Sequence, residues 1–231
     1  MRAMAIVALA AGLTLAATTG AEAQGTTQGR TFTRIPVGTT WRVDPTHSEV
    51  SFRIRHLAGR VRGFFTEWEG VLVTRGPEWD RGTVNVTVRT KSIDTRNAAR
   101  DADLRSPRFF NVDSFPTMTF ESTGLVVENS TFEMSGLLTL KGQTHPVVFK
   151  GAYLGTMRDQ GGKERIAFDG TALINRRDYN LTWNQVLDDG TLLSDNVEIE
   201  IAIEAFAQSE GMLAWPKGRA LDRARQARRA L

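Results

Sequence analysis

The 231-residue chain contains no cysteine, so disulfide bridging and thiol chemistry are excluded, and whatever fold it adopts must stand on packing alone. It has only three histidines, His47, His56 and His145, none at His-x-x-x-His spacing, so no metal site is expected from a ligand set this sparse. There is no Gly-x-Ser-x-Gly nucleophile elbow, which removes the commonest sequence mark of a serine hydrolase. The body of the chain also lacks a basic surface interleaved with aromatics. Residues 211–231 carry six basic side chains against Asp222, a local +5 that leaves residues 24–210 near −2, so the overall +3 belongs to a tail and a nucleic-acid partner is not expected.

What is present begins with an address. Arg2, the apolar run from Ile6 to Ala17 and the small-x-small site Ala21-Glu22-Ala23 read as a secretory signal peptide over residues 1–23, cut before Gln24. The run is too short to favour a membrane span, and no cysteine follows it to take a lipid. A periplasmic or secreted location is therefore expected. Residues 24–40, rich in Gly, Thr and Gln, read as a flexible leader. With 41% hydrophobic and 24% charged residues, the remainder is enough for one globular domain with a substantial core.

From residue 41 onward the pattern is strands and turns. After the Asp44-Pro45 turn, Val50, Phe52, Ile54 and His56 share one face while Ser51, Arg53 and Arg55 share the other, the period of a half-buried strand. Residues 61–73 alternate through Phe65, with Gly63 and Gly70 suggesting bends in a curved sheet, and Gly76-Pro77 closes the hairpin. Val84, Val86 and Val88 mark the next strand. Residues 97–105 lack β-branched side chains, have Asn97 as a cap and stop at Ser106-Pro107, which predicts a short helix, with Phe109-Phe110 plugging one end of the interior. Further strands are predicted over 118–123, 132–140, 145–154, 165–174 and 197–205. These short strands, eight or so, indicate an all-β antiparallel barrel or sandwich. The Ala-, Leu- and Arg-rich piece over 216–231 reads as an exposed basic helix, with contact to anionic lipid headgroups as its sharper role.

Polar candidates are few. Asp44 and His47 can pair, as an Asp-x-x-His that ties down its own turn or as an acid-base pair near a barrel mouth. Arg100, Asp101, Asp103 and Arg105, and separately Arg176, Arg177 and Asp178, are the best candidates for fixed ion pairs; a buried arginine among them, Arg176 foremost, is also a candidate to hold a ligand's polar head.

The ordered motifs Asp44-Pro45-Thr46-His47-Ser48, Phe52-Arg53-Ile54-Arg55-His56, Gly63-Phe64-Phe65, Ser92-Ile93-Asp94-Thr95, Arg100-Asp101-Ala102-Asp103-Leu104-Arg105-Ser106 and Phe109-Phe110 resemble the YceI-like family. So do Phe115-Pro116, Phe120-Glu121-Ser122-Thr123, the stretch from Gly136 to Val147 and Arg176-Arg177-Asp178-Tyr179-Asn180, so the likeness covers about residues 41–206. The resemblance implies an extended, eight-stranded, lipocalin-like antiparallel barrel with a short helix in one crossover, paired as a homodimer in many members. It implies a periplasmic protein whose lumen takes an isoprenoid chain of polyprenyl or quinone type, with no cofactor and no catalysis. Asn180 stands where many members have Gly, which Asn tolerates because it enters left-handed backbone readily; the arginine-rich tail lies outside the pattern.

A carrier of this kind needs a long dry tunnel, since an isoprenoid chain offers little but apolar area. The side chains expected to line it are Val50, Phe52, Ile54, His56, Phe65, Val86, Val88, Phe109, Met118, Phe120, Met134, Leu138, Phe168, Ile174, Ile199 and Ile201, with Arg176 at the polar head. The expected organisation is a barrel over 41–208 and a basic helical tail over 209–231. Two alternatives stand beside the carrier: an enzyme of the same barrel using His47 and Asp44, and a packed β-sandwich that only assembles with partners.

Overall fold

The structure, a computed structural model, describes residues 38–75, 79, 82–184, 186–187 and 190–208. The expected signal peptide, the basic helical tail, the Gly76-Pro77 turn and all but the last three residues of the leader lie outside the described residues.

The wall begins with β1 (Thr40–Val43) and β2 (Glu49–His56), separated by the Asp44–Ser48 turn, and continues through β3 (Gly59–Phe65), β4 (Trp68–Val73), β5 (Thr83–Arg89) and the short β6 (Ile93–Asp94). After helix α1 (Ala98–Arg105) come β7 (Thr117–Glu128), β8 (Thr131–Leu140), β9 (Gln143–Arg158) and β10 (Glu164–Asn175). A two-stranded appendage, β11 (Val186–Leu187) and β12 (Gly190–Thr191), precedes the long β13 (Leu193–Ala207). Neighbours around the wall run β1-β4-β5-β7-β8-β9-β10-β13, all antiparallel, and β1 pairs with β13 as well as with β4. That double pairing closes an eight-stranded antiparallel barrel, in which β2 continues β1 along β13 and β3 continues β4 along β2. At the closure Trp41 lies opposite Leu72 on one side and Ala207 on the other, with none of its surface exposed.

The expected strand over 61–73 is broken at Thr66-Glu67, where the chain bends. Below the bend β4 pairs with β5, and above it β3 leaves that partner for β2 and β6. β7 runs to Glu128, past the predicted end at Thr123, across a register shift between Ser122 and Gly124. The extension is hard to read because Leu125, Val126 and Val127 form a continuous apolar run in which Val126 points outward, half exposed. α1 forms as expected: the Asn97 side chain accepts a bond from the Arg100 amide at 3.0 Å, and Ser106 ends the helix in extended backbone ahead of Pro107. Asn180 takes the left-handed conformation, φ +56°, that the sequence comparison with Gly suggests.

Two wall glycines govern the interior. A Cβ built on Gly63 would stand 2.4 Å from the Phe52 ring, and one on Gly136 would stand 2.3 Å from the Phe120 ring. Each ring therefore lies flat against the wall over a glycine on a neighbouring strand. Replacing Gly136 with Val should displace the Phe120 ring and destabilise the fold by about 1–3 kcal/mol, the usual cost of overpacking; urea unfolding of the variant beside the wild type measures it.

Candidate functional site

The barrel encloses a cavity of about 440 Å³, within the size range of sites for small organic ligands. Its deep end is lined by Leu72, Leu125, Ile166 and Ala205, all buried. Trp79 seals the same end, edge-on to Tyr153 and Phe168 with ring centroids 5.6 and 5.5 Å away. At the other end His56 and Ala99 line the cavity while lying exposed, so the lumen reaches the surface between the β2–β3 hairpin and α1. Phe109, packed on Trp183 at 5.3 Å, and Phe110, edge-on to Phe65 at 6.0 Å, narrow this mouth as the adjacent aromatics suggested. The lining is hydrocarbon or aromatic apart from Ser51, His56, Arg100, Asp103 and Thr119.

Every residue expected to face the lumen does line this cavity, with one exception. Arg176 is buried in the crossover after β10, where its guanidinium donates to the carbonyls of Leu181, Trp183 (2.8 Å) and Ser194 (2.9 Å) and to the Asp195 carboxylate (3.0 Å). Burial pulls its pKa below that of a free guanidinium, yet four acceptors surround it. The expectation that it grips a ligand head is corrected: it holds the 176–184 segment against β13. Sequence reasoning missed Leu181 and Trp183, which that segment delivers to the lumen, Leu104 from α1, and the strand residues Leu72, Leu125, Ile166 and Ala205 of the deep end. The first three sit in stretches without strand periodicity, and no alternation pattern marks them.

Of the residues expected to form fixed ion pairs, Asp103, Arg176 and Arg177 do so, with Arg108 and Asp195, partners outside the two clusters. Arg100 donates to the Thr95 hydroxyl and carbonyl at 2.7 and 2.9 Å, and Arg105 to the carbonyls of Lys91 and Ile93. Asp101, buried, accepts from the Thr95 amide and hydroxyl, and Asp103 pairs with Arg108. Arg177 shares Asp195 with Arg176. These side chains tie the irregular segments around the mouth to one another.

Asp44 and His47 are neither at the mouth nor on the lining. The Asp44 amide donates to the Glu204 carbonyl late in β13, whereas the mouth residue His56 pairs with Leu193 at its start. Asp44 accepts from the Thr46 hydroxyl at 2.6 Å, from Arg165 at 2.8 Å and from His47 Nδ1 at 3.0 Å. Those partners, the Thr46 hydroxyl first and Arg165 next, hold its carboxyl well below the usual carboxylate range. Arg165 also reaches Asp159 at 3.1 Å and Glu204 at 3.5 Å, so the group is a hub joining the β1–β2 turn to the β9–β10 loop. Among the described residues no three His, Asp or Glu side chains converge as metal ligands.

The family described as YceI-like domain matches residues 41–205. Protein YceI of Salmonella newport is 36% identical over 165 residues, covering 70% of this chain and 83% of that protein. The Campylobacter jejuni YceI crystal structure aligns with a TM-score of 0.60 at 27% identity, over 67% of this chain and 90% of the other. Burkholderia cenocepacia BcnA aligns with a TM-score of 0.61 at 20% identity, over 70% and 98%. A polyisoprenoid binding domain from Saccharophagus degradans aligns with a TM-score of 0.57 at 16% identity, over 73% and 98%. The last two likenesses speak for the fold alone.

Two substitutions separate clamp from surface. Arg176→Leu strands buried carbonyls and should cost about 3–5 kcal/mol, whereas Arg177→Leu, at an exposed pair on the same aspartate, should cost under about 1 kcal/mol in denaturant titration. A third substitution tests Asp44. A carboxylate whose folded pKa is depressed stabilises fully above its ordinary value of 3.8 and progressively less as pH falls below it. The stability gap between wild type and Asp44→Asn should therefore be widest near pH 6 and should narrow by pH 3, read from urea midpoints at each pH.

Proposed function

The chain belongs to the YceI-like family, and on that premise we propose that it is a periplasmic or secreted carrier that holds one isoprenoid lipid, of polyprenyl or quinone type, inside the barrel without transforming it. The observation that carries this reading is the lumen itself: hollow, almost wholly hydrocarbon-lined, sealed by Trp79 at one end and open beside His56 at the other. Burying a hydrocarbon chain there is worth roughly 0.8 kcal/mol per methylene removed from water, or about 4 kcal/mol gross for each five-carbon isoprene unit. No polar network is needed inside, and the lining offers almost none. A quinone ring or phosphate at the end of the chain would rest at the rim, where His56, Arg100 and Asp103 are the polar side chains.

Several features weigh against chemistry in the lumen and against a packed sandwich. Arg100 and Asp103 already have partners in Thr95 and Arg108, which leaves His56, among the described residues, as a lone imidazole at the rim. The Asp44–His47 pair is built into a turn remote from the mouth. A sandwich that only assembles with partners would have its inward side chains interlocked, with no cavity between them.

Solvent extraction of purified protein followed by mass spectrometry should recover a prenyl lipid in near-stoichiometric amount; repeated preparations without one would sink the carrier reading. Ile199→Trp, which fills the lumen from the middle of β13, should lower lipid recovered per protein by about tenfold while the thermal midpoint stays within a few degrees, because the added rings enter space that is already empty.

A further inference from the structure

We infer that the tip of the β2–β3 hairpin is a docking surface for an anionic lipid bilayer, which brings the cavity mouth onto the membrane. The inference deepens the carrier reading and rests on it for its purpose, though its geometry stands apart. Between β2 and β3 the chain turns at Leu57-Ala58, with Leu57 presented at the apex and 51% exposed. Leu57 is in the left-handed region, φ +53°, where a branched side chain is strained and Gly or Asn would be relaxed. The tip is nonetheless held: the Leu57 amide donates to the Leu192 carbonyl at 2.7 Å, and Arg55 donates to the Leu57 carbonyl at 3.2 Å. An apolar side chain kept exposed in a strained conformation points to a use outside the fold.

The charges beside it point the same way. Arg55 and Arg60 face each other across the hairpin, as do Arg53 and Arg62 one step further from the tip. Like charges directly opposite one another destabilise a sheet. The inner pair is neutralised, because Arg53 contacts Glu198 and Glu200, and Arg62 contacts Glu49 and Glu200. At the tip neither Arg55 nor Arg60 meets a carboxylate among the described residues. Among the described residues the same wall therefore supplies three glutamates for one arginine pair and none for the next, leaving two cations without a carboxylate beside an exposed leucine. An anionic interface complements that pattern, taking the cations at the headgroups and the leucine just below them.

Position selects the bilayer over other anions. His56 and Val61, immediately inside the tip, line the cavity mouth, so a surface resting on Leu57 lies against the opening. A long hydrocarbon chain must reach the lumen without crossing water, and a mouth seated on the bilayer meets that need. The other exposed apolar side chains, such as Leu137, Val148 and Leu173, sit on the outer faces of β8, β9 and β10, where Lys150 is already paired with Glu133.

The test is vesicle co-sedimentation of the full chain at about 0.1 M salt, where screening still permits surface attraction. Wild type should bind phosphatidylglycerol-containing vesicles, bind pure phosphatidylcholine far less, and release as salt rises. Arg55→Gln/Arg60→Gln should weaken binding about 30-fold, and Leu57→Ser about fivefold. The double variant should melt at or above the wild-type temperature, because it relieves a like-charge pair; weaker binding with unchanged or higher stability cannot be a folding defect. Absence of wild-type binding would overturn the inference, as would a double variant that binds like wild type, an outcome that assigns the attraction to the basic residues of 211–231 instead. Lipid extraction of the same preparations reads the carrier proposal separately, so either can fail alone.

Discussion

The interior stays open because phenylalanine rings are laid along the wall and not across it. An eight-stranded barrel is only just wide enough for its inward side chains to fill, or to hold one ligand, so the direction of a few large rings decides which outcome prevails. Phe52 lies over Gly63 and Phe120 over Gly136, in each case where a Cβ would stand within 2.4 Å of the ring. Glycine in a strand costs backbone entropy. Here the cost is offset by a flat aromatic surface facing a lumen of about 440 Å³. The end seal follows a different rule: Trp79, Tyr153, Phe168 and Phe132 stack edge to face, so aromatic packing closes the bottom with rings that turn inward.

Much of the wall was legible in the sequence because a half-buried strand shows its period directly. β8, with Phe132, Met134, Leu138 and Leu140 buried and Glu133 and Leu137 outward, and β13, with its alternating isoleucines and glutamates, are plain in the residues alone. The helix was legible from its cap and its Pro stop. What escaped was the deep end, where Leu72, Leu125, Ile166 and Ala205 line the lumen, and the part of the site built without period: Leu104 on a helix, Leu181 and Trp183 on a crossover, and the bend at Thr66-Glu67 that lets one chain segment serve two neighbours. Closure itself was not visible in local pattern. It depends on four residues of β1 bridging β4 and β13, a long-range pairing whose sequence trace is only Trp41 and its neighbours.

Arg176 shows why polar residues misled where apolar ones did not. A buried arginine near a mouth resembles a headgroup ligand, but a guanidinium carries five donors and the nearest unmet acceptors are backbone carbonyls. The segments around the opening lack sheet partners for those carbonyls, and Arg100, Arg105 and Arg176 supply the missing donors for Thr95, Lys91, Ile93, Leu181, Trp183 and Ser194. The rim is thereby kept in shape without regular structure. Its cations are engaged by the protein and are not held in reserve for a ligand.

That arrangement bears on how a lipid would move. Transfer of a hydrocarbon chain from a bilayer core to a hydrocarbon lumen exchanges one apolar surrounding for another, so its net free energy is small even though each state is far below the chain in water. Loading and release are then reversible in proportion to the lipid available, and the barrier lies in any exposure to water along the way. A rim fixed by carbonyl-bound arginines keeps a constant opening, and on the docking inference Arg55 and Arg60 at the hairpin tip would act on the approach and orientation of the protein and not on the affinity of the lumen. On the carrier reading and the docking inference, capture by a dry interior and positioning by a charged edge would be carried by separate residues, so each can vary without loss of the other.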